Sequence, residues 1–264
     1  MEDKLQMAKK TRSKIIVYAA VVLALILVLN IILGSLGEKR AINEIQEKQE
    51  KQEESFIRAE NATLVSLQLP AVDAEGRGVS TRLNVEAIRN GEGKGRTLVD
   101  IENLLFWADT QQSIRMARLV AGNYAGNNIS DYNLIYNIEA NASVIGGPSA
   151  GAAITIATIF ALRGEKPRHD VMITGNINHD GSIGPVDGIL EKAKASKEIG
   201  ASILLVPLLQ SRDVVYETKE NCEKFGLSEI CQTESIPRKI NVSNEANITV
   251  IEVANISEAL SYFS

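Results

Sequence analysis

The chain has 264 residues, enough for one large domain with additional segments or for two small domains. Hydrophobic residues make up 45% of it and charged residues 23%, which excludes a disordered or fibrous protein. The formal net charge is -5 and no basic stripe is present, so we expect no nucleic-acid partner. The two cysteines and two histidines do not cluster and cannot build a four-ligand zinc site without carboxylates, so we expect no metal.

Residues 15–37 are uncharged and almost entirely apolar. A helix needs about 20 such residues to cross the hydrocarbon core of a bilayer. A cleaved secretory signal has a shorter apolar core and a small-residue cleavage site, and this run has neither feature. We therefore predict an uncleaved, single-pass transmembrane anchor at residues 15–37, preceded by a cytoplasmic tail at residues 1–14.

Three features of the sequence favour a globular domain outside the cytosol. Lys and Arg are slightly more frequent before the apolar run than after it, which favours a cytoplasmic amino terminus. Cys222 and Cys231 lie close together and would close a disulfide in an oxidising compartment, whereas in the cytosol they would stay thiols. Asn-x-Ser/Thr triplets are also in excess beyond the run, as in a glycosylated domain, although Asn-rich loops give the same pattern. These triplets begin at Asn61, Asn128, Asn141, Asn241, Asn247 and Asn255.

The segment after the anchor, residues 38–60, is rich in Glu, Gln and Lys and lacks Pro and Gly, so we predict a helical stalk. The globular domain then spans residues 61–264. Alternating apolar and polar residues at 63–72 and 78–88 predict two antiparallel strands joined by a turn. The glycine-rich residues 90–96 lack the spacing of a phosphate-binding loop and predict a turn, so we expect no ATP site in this chain.

The rest of the domain alternates helices with strands, which predicts an α/β layer. We predict an amphipathic helix at residues 109–121 and a strand at residues 132–138. After a buried helix that begins near residue 149, the pattern continues with a strand at 171–174, a helix at 188–199, a strand at 202–206, a strand at 248–253 and a helix at 256–263. Residues 208–246 are polar, contain both cysteines and are interpreted as an insertion.

The most informative stretch is residues 146–164, which read GGPSAGAAITIATIFALRG. Pro148 suits the first helical turn and Gly164 suits the position after the last, and the residues between them predict a helix that is buried all round. Ser149 then lies at the amino end, where free N–H groups and the helix dipole stabilise an oxyanion. Because serine is also a common helix cap, its position alone does not establish a nucleophile.

A lysine in an apolar environment is the second informative feature. In the helix at residues 188–199, for which we predict Asp187 as the cap, Lys192 falls within the apolar face. The other members of that face are Ile189, Leu190, Ala193 and Ile199. The lysine either extends along the helix to water or is desolvated, and a desolvated lysine loses proton affinity and can act as a general base. A serine beside a neutral lysine is an activated nucleophile.

These residues carry a family resemblance. Residues 147–151, GPSAG, resemble the nucleophile motif of the Lon-type serine proteases, and Ser149 and Lys192 are separated as in that family's Ser-Lys dyad. Further matches follow in the family's order at residues 172–175 (MITG), 181–186 (GSIGPV), 188–192 (GILEK) and 203–207 (ILLVP). The resemblance extends from about residue 61 to the end of the chain. In particular, the sequence resembles membrane-anchored archaeal Lon-like proteases without an ATPase module.

The resemblance implies an α/β (α+β) fold of the Lon proteolytic-domain type and a role for each matching residue. Ser149 would be the acylated nucleophile, Lys192 the base, and Thr174 the residue that hydrogen-bonds and orients the lysine. The backbone of Gly146, Gly147 and Ser149 would bind the oxyanion. Many Lon-type enzymes carry an acidic residue where Gly146 stands here; its absence would alter substrate handling or gating and would leave the dyad intact.

The expected function is that of a membrane-anchored serine endopeptidase that needs no cofactor and no ATP site of its own. The resemblance implies unfolded or membrane-proximal polypeptides as substrates and a homo-oligomeric ring, with six copies as the expected number. The alternatives are an inactive scaffold of the same fold and a phosphotransferase, for which no phosphate-binding loop is found. A Ser-His-Asp triad is not supported, because His169 and His179 lie in a loop and a turn.

Overall fold

The computed structural model describes residues 56–91, 93–100, 105–106, 108–139, 144–145, 147–225 and 228–264. The predicted tail, the predicted anchor and most of the predicted stalk lie outside these residues, as does Gly146. No helix within the described ranges is long and apolar enough to cross a membrane.

The first part of the domain is a five-stranded sheet with the strand order β1-β2-β3-β6-β4. Its strands are β1 (Phe56–Arg58), β2 (Ala62–Val72), β3 (Gly78–Arg89), β4 (Thr97–Val99) and β6 (Tyr132–Glu139). In β2 and β3 buried residues alternate with half-buried ones, which confirms the two predicted antiparallel strands. The predicted helical stalk is wrong at its end, because residues 56–58 pair with the edge of β2 and are therefore extended.

Two helices and a short two-stranded sheet accompany this sheet. They are α1 (Ala108–Tyr124) and α2 (Gly151–Arg163), with β5 (Leu105–Phe106) paired to β7 (Val144–Ile145). The helix α2 packs on β2 and β3 and also contacts α1. Every residue of α2 from Gly151 to Leu162 is buried, which confirms the prediction of a helix with no solvent-facing side. Its end at Gly164, with φ 65, is also as predicted.

The second part of the domain contains a parallel sheet with the order β14-β11-β8, which confirms the predicted α/β layer. Its strands are β8 (Val171–Ile173), β11 (Ile203–Pro207) and β14 (Thr249–Val253). A small antiparallel pair, β9 (Asn176–Ile177) with β10 (Ile183–Gly184), follows β8. The helices of this part are α3 (Ile189–Glu198), α4 (Val242–Ala246) and α5 (Ile256–Phe263).

The predicted insertion at residues 208–246 contains a long β-hairpin made of β12 (Arg212–Phe225) and β13 (Ser228–Asn241). Its two strands pair only with each other among the described residues, and most of their described side chains are exposed. Cys222 and Cys231 stand opposite each other in this ladder, with their Cα atoms 4.0 Å apart, and a disulfide joins them. The polar composition of the insertion reflects a ribbon that has no core of its own.

Candidate active site

The turn that carries Ser149 begins with an unusual backbone conformation. Gly147 has φ 100 and ψ 149, a region that side-chain-bearing residues rarely adopt. Residues Pro148–Ala150 then form a single 3-10 turn, and α2 begins at Gly151. Ser149 thus lies in the 3-10 turn just before the α-helix, at its amino end as predicted. Its side chain is half-buried.

The segment that follows β8 holds this turn in place. The carbonyl oxygen of Ser149 accepts a hydrogen bond from the N–H of Gly175 at 2.9 Å and one from the hydroxyl of Thr174 at 3.4 Å. The carbonyl of Gly175 in turn accepts from the N–H of Ala152 at 3.0 Å. Thr174 is itself fixed to the parallel sheet, because its N–H donates to Leu205 in β11. The serine turn is therefore attached to the carboxyl edge of the sheet.

Two glycines allow the backbones of the site to approach closely. A Cβ added at Gly151 would lie 2.7 Å from Cγ2 of Ile177 and 2.9 Å from its backbone nitrogen. A Cβ added at Gly175 would overlap the side chain of Ile183. Both glycines are thus required by packing, since a larger residue at Gly151 would push α2 away from β9 and one at Gly175 would push the chain after β8 away from β10.

Lys192 is buried in α3, as the sequence predicts, with only 4% of its surface exposed. Its amine donates a hydrogen bond to the carbonyl oxygen of Asp187 at 2.8 Å. Burial lowers the pKa of Lys192 to about 8, against the charges of Asp187 and Glu191, which raise it. A lysine with this pKa is partly neutral near pH 8 and can accept a proton from a hydroxyl.

Two predictions for α3 are wrong. The cap residue is Gly188, with φ 69 and no side-chain hydrogen bond, so Asp187 contributes its carbonyl to the lysine and not a cap to the helix. Ile199 was expected on the apolar face but is 45% exposed, because α3 ends at Glu198 and the helical periodicity no longer applies. Ala195 and Ser196 are buried on this helix instead.

A short ladder links the segment that binds the serine turn to β10, the strand that precedes the lysine helix α3. The β9–β10 ladder places Gly184 opposite Asn176, which directly follows the serine-bound Gly175. Among the hydrogen bonds of the described residues, the lysine amine is bound to the carbonyl of Asp187 and not to the serine hydroxyl. The hydroxyl of Thr174 donates to the serine carbonyl, so its predicted bond to the lysine stays a prediction.

A carboxylate that the sequence interpretation missed also lies at the serine turn. Oδ2 of Asp109, in the first turn of α1, accepts a hydrogen bond from the N–H of Gly147 at 2.8 Å, and Oδ1 accepts from the N–H of Thr110 at 2.7 Å. In this conformation the N–H of Gly147 is therefore engaged and not free to bind an oxyanion. Of the other predicted donors, Gly146 lies outside the described residues and the N–H of Ser149 stays a prediction.

Two other groups of polar side chains among the described residues have partners of their own. One cluster of metal-ligand type is present there, Glu220 with Cys222 and Cys231, but its two sulfurs form the disulfide. His179 is exposed, and the neighbouring carboxylate of Asp180 accepts hydrogen bonds from Ser182. The absence of a Ser-His-Asp triad stays a prediction.

The central part of the chain is similar to one family of known proteins, both by a family model and by individual relatives. Residues 113–237, which include Ser149, Thr174 and Lys192, match the family model of the Lon protease (S16) C-terminal proteolytic domain. The chain is 36% identical over 92 residues to the Lon protease of Desulfovibrio desulfuricans, covering 35% of this chain and 10% of that protein. It is 32% identical over 126 residues to the Lon protease of Phenylobacterium zucineum, covering 47% of this chain and 16% of that protein.

The chain thus spans between a tenth and a sixth of the length of these relatives. The matches confirm the resemblance to the Lon-type serine proteases that the motifs indicate. The archaeal and membrane-anchored parts of that resemblance stay predictions.

Proposed function

We propose that this chain hydrolyses polypeptides with Ser149 as nucleophile and Lys192 as base, because residues 113–237 match the family model of the Lon protease (S16) C-terminal proteolytic domain. The observation that carries the proposal is the buried amine of Lys192, whose pKa is lowered to about 8 by burial. An exposed lysine would hold its proton up to about pH 10.4 and could not serve as a base near neutrality. Desolvation alone therefore makes this amine suitable for proton transfer.

The acylation step follows from these two groups. The neutral amine of Lys192 takes the hydroxyl proton of Ser149 while Oγ attacks the carbonyl carbon of the scissile peptide bond. The resulting tetrahedral oxyanion is stabilised by N–H groups and by the positive end of the α2 dipole. When the C–N bond breaks, the lysine ammonium returns the proton to the leaving amine, and the acyl group stays on the serine as an ester.

Deacylation uses the same groups in a second cycle. Lys192 accepts a proton from a water molecule, and the resulting hydroxide attacks the ester carbon. The lysine then protonates Oγ of Ser149 as the carboxylic acid product leaves. Neither step requires a metal ion or an organic cofactor, since the amine supplies both the base and the acid.

The lysine must change partner to begin this cycle. In the described conformation its amine donates to the carbonyl of Asp187, which can only accept a hydrogen bond. Catalytic hydrogen bonds are often long or misaligned in the absence of substrate and form in the complex. We propose that rotation of the lysine side chain, from the carbonyl of Asp187 towards the hydroxyl of Ser149, precedes acylation, with Thr174 orienting the amine.

The wider setting of the enzyme is proposed from the sequence. Residues 15–37 are the membrane anchor because they are apolar and long enough to span a bilayer, and the peptidase domain lies on the extracytoplasmic side. The substrates are unfolded or membrane-proximal polypeptides, and the chain assembles into a homo-oligomeric ring. The chain offers no phosphate-binding loop of the Walker type, so hydrolysis by this domain proceeds without ATP bound to it.

A fluorophosphonate probe, which phosphonylates activated serines with loss of fluoride, tests the chemistry on the full-length protein. We expect wild type to be labelled, Ser149→Ala to be unlabelled, and Lys192→Arg to be nearly unlabelled because a guanidinium stays protonated. Lys194→Arg is the matched control, since Lys194 is exposed on the same helix and should label like wild type. Cleavage of an unstructured fluorogenic peptide should follow the same pattern.

Two results would overturn the proposal. Absence of labelling in wild type at any pH between 7 and 9.5 would favour an inactive scaffold of the same fold, and full labelling of Lys192→Arg would remove the lysine from the mechanism. The topology has a separate test, digestion of sealed vesicles by an added protease. If the peptidase domain is protected in right-side-out vesicles, the extracytoplasmic assignment is wrong.

A further inference from the structure

A turn with two exposed leucines lies beside the candidate active site. It follows Pro207, the last residue of β11, and a Cβ added at Gly175 would lie 3.5 Å from Cγ of that proline. Gly175 in turn donates a hydrogen bond to the carbonyl of Ser149. Leu208 is 53% exposed and Leu209 is 89% exposed, although the strand that leads into the turn is buried.

The conformation of this turn is unfavourable for its residues. Leu209 has φ 67, in the left-handed region where a side chain with a Cβ is strained. Such residues persist only when the surrounding structure holds them, and they are concentrated at functional sites. A large apolar side chain that is both strained and in water has no role in stabilising this fold, since a glycine or asparagine would be more favourable there.

Hydrogen bonds hold the turn and connect it to the lysine. The side-chain amide of Gln210 donates to the carbonyl of Val186 at 2.6 Å, and its oxygen accepts from the N–H of the same residue at 3.0 Å. Val186 is followed by Asp187, whose carbonyl oxygen accepts a hydrogen bond from the amine of Lys192. Hydrogen bonds therefore connect the turn to the segment that binds the lysine, and Pro207 places the turn near Gly175, which binds the serine carbonyl.

We propose that Leu208 and Leu209 are specificity-determining residues that contact an apolar side chain of the polypeptide substrate next to the scissile bond. This inference rests on the proposed function and names the substrate class more closely: extended chains with a Leu-like or Phe-like residue near the cleavage point. The exposed apolar surface beside Gly175 suits such a residue, because burying it between substrate and turn removes apolar area from water on both sides.

The test compares two fluorogenic peptides on the full-length protein in detergent, one with leucines flanking the scissile bond and one with serines there. The variant combines Leu208→Ser with Leu209→Asn, because asparagine tolerates the left-handed conformation. We expect kcat/KM for the leucine peptide to fall about tenfold, mainly through KM, while the serine peptide changes less than about twofold. The rate of fluorophosphonate labelling at Ser149 should be unchanged. Leu119→Ser, at a leucine on α1 that is as exposed as Leu208, is the control and should leave the cleavage of both peptides unaffected.

Three outcomes would overturn the inference while Ser149 still labels. These are equal cleavage of the two peptides by wild type, an unchanged preference in the double variant, and a parallel loss on both peptides with a change in oligomeric mass. The third result, read by analytical ultracentrifugation, would assign the turn to contacts between copies of the chain. Failure of wild type to label at all would instead remove the proposed function, so the two failures are distinguishable.

Discussion

The carboxylate of Asp109 accepts a hydrogen bond from the backbone N–H of Gly147, two residues before the candidate nucleophile Ser149. The contact joins the first turn of α1 to the serine turn, across 38 positions of sequence. It fixes the orientation of the peptide group at Gly147, which adopts φ 100. Without such a contact a glycine can adopt many other conformations. Asp109 therefore helps to determine where Ser149 points.

We predict that Asp109→Ala lowers kcat for peptide cleavage about tenfold or more, with a smaller change in KM, because small displacements of a nucleophile have large kinetic costs. Asp109→Asn should be intermediate, since Thr110 and Gly147 donate to different oxygens of the carboxylate and asparagine keeps only one of these two acceptors. Steady-state kinetics and thermal unfolding of the same samples check the prediction. An increase in kcat would mean that the carboxylate blocks the oxyanion site, which is the opposite of a positioning role.

In the proposed mechanism, the pKa of Lys192 sets the pH dependence of the reactivity of Ser149. Burial lowers this pKa to about 8, so the neutral, basic form of the amine increases as pH rises through that value. We predict that the fluorophosphonate labelling rate of Ser149 rises between pH 6.5 and about 9 with a midpoint near 8. The labelling rates are corrected for spontaneous hydrolysis of the probe, which is measured at each pH without protein. A midpoint near 6.5 would indicate a histidine base and would contradict the assignment.

The same shift predicts how stability depends on pH. In the unfolded chain the amine of Lys192 keeps its proton up to its ordinary pKa of 10.5, whereas in the folded chain it loses the proton near pH 8. Between these values the unfolded state binds more protons, so the folded state gains stability as pH rises. The free energy of unfolding of wild type should therefore increase relative to Lys192→Met from pH 8 to 10. Denaturant unfolding of both proteins at each pH measures this difference, and a flat or falling difference would contradict the lowered pKa.

The close approach of β3 to the lysine helix gives a prediction about packing. A Cβ added at Gly78 would overlap the backbone carbonyl of Glu191, the residue before Lys192. We predict that Gly78→Ala destabilises the fold by about 1–3 kcal/mol and slows labelling of Ser149, because α3 must move away from the sheet. The control is Gly122→Ala in α1, where the added carbon lies 3.4 Å from Ile129 and helix propensity improves. Equal labelling of both variants would show that the position of α3 is not critical.

Local patterns in the sequence indicate the candidate residues of the site but not the long-range contacts between them. Ser149 and Lys192 are found from local patterns, a small-residue helix start and a charged residue on an apolar face, and burial of the lysine confirms the second pattern. The contact between Asp109 and Gly147 joins distant segments, and an aspartate at the start of an amphipathic helix looks like an ordinary cap. Long-range contacts of this kind leave no periodic signal in either segment.

The strands of the insertion at residues 208–246 are also not predicted from the sequence. Its strands, β12 and β13, are exposed on most of their described surface, so they lack the alternation of apolar and polar residues that marks a strand on a core. The polar composition therefore predicts an insertion but does not indicate that it forms two paired strands of 14 residues each. Only the spacing of Cys222 and Cys231 contains information about the pairing, and the structure places them directly opposite each other.

The disulfide between Cys222 and Cys231 gives the last prediction. It closes a short loop near the tip of a hairpin that has few contacts with the core. Loss of the disulfide should therefore increase local opening at the tip and leave the rest of the domain nearly unchanged. We predict that replacing both cysteines with serine accelerates hydrogen exchange in residues 217–236 and changes the main thermal transition by less than about 2 °C. The fluorophosphonate labelling rate should be unchanged.

Mass spectrometry with a thiol-alkylating reagent establishes the starting state, since two free thiols in native protein would remove the disulfide and with it one argument for an exterior domain. The matched control is replacement of Thr218 and Ser235, which face each other in the same ladder, by alanine, and it should leave tip exchange nearly unchanged. A large fall in labelling on disulfide loss would mean that the hairpin acts on the site, since Gln210 and Ser211 connect the base of β12 to Val186 and Glu252.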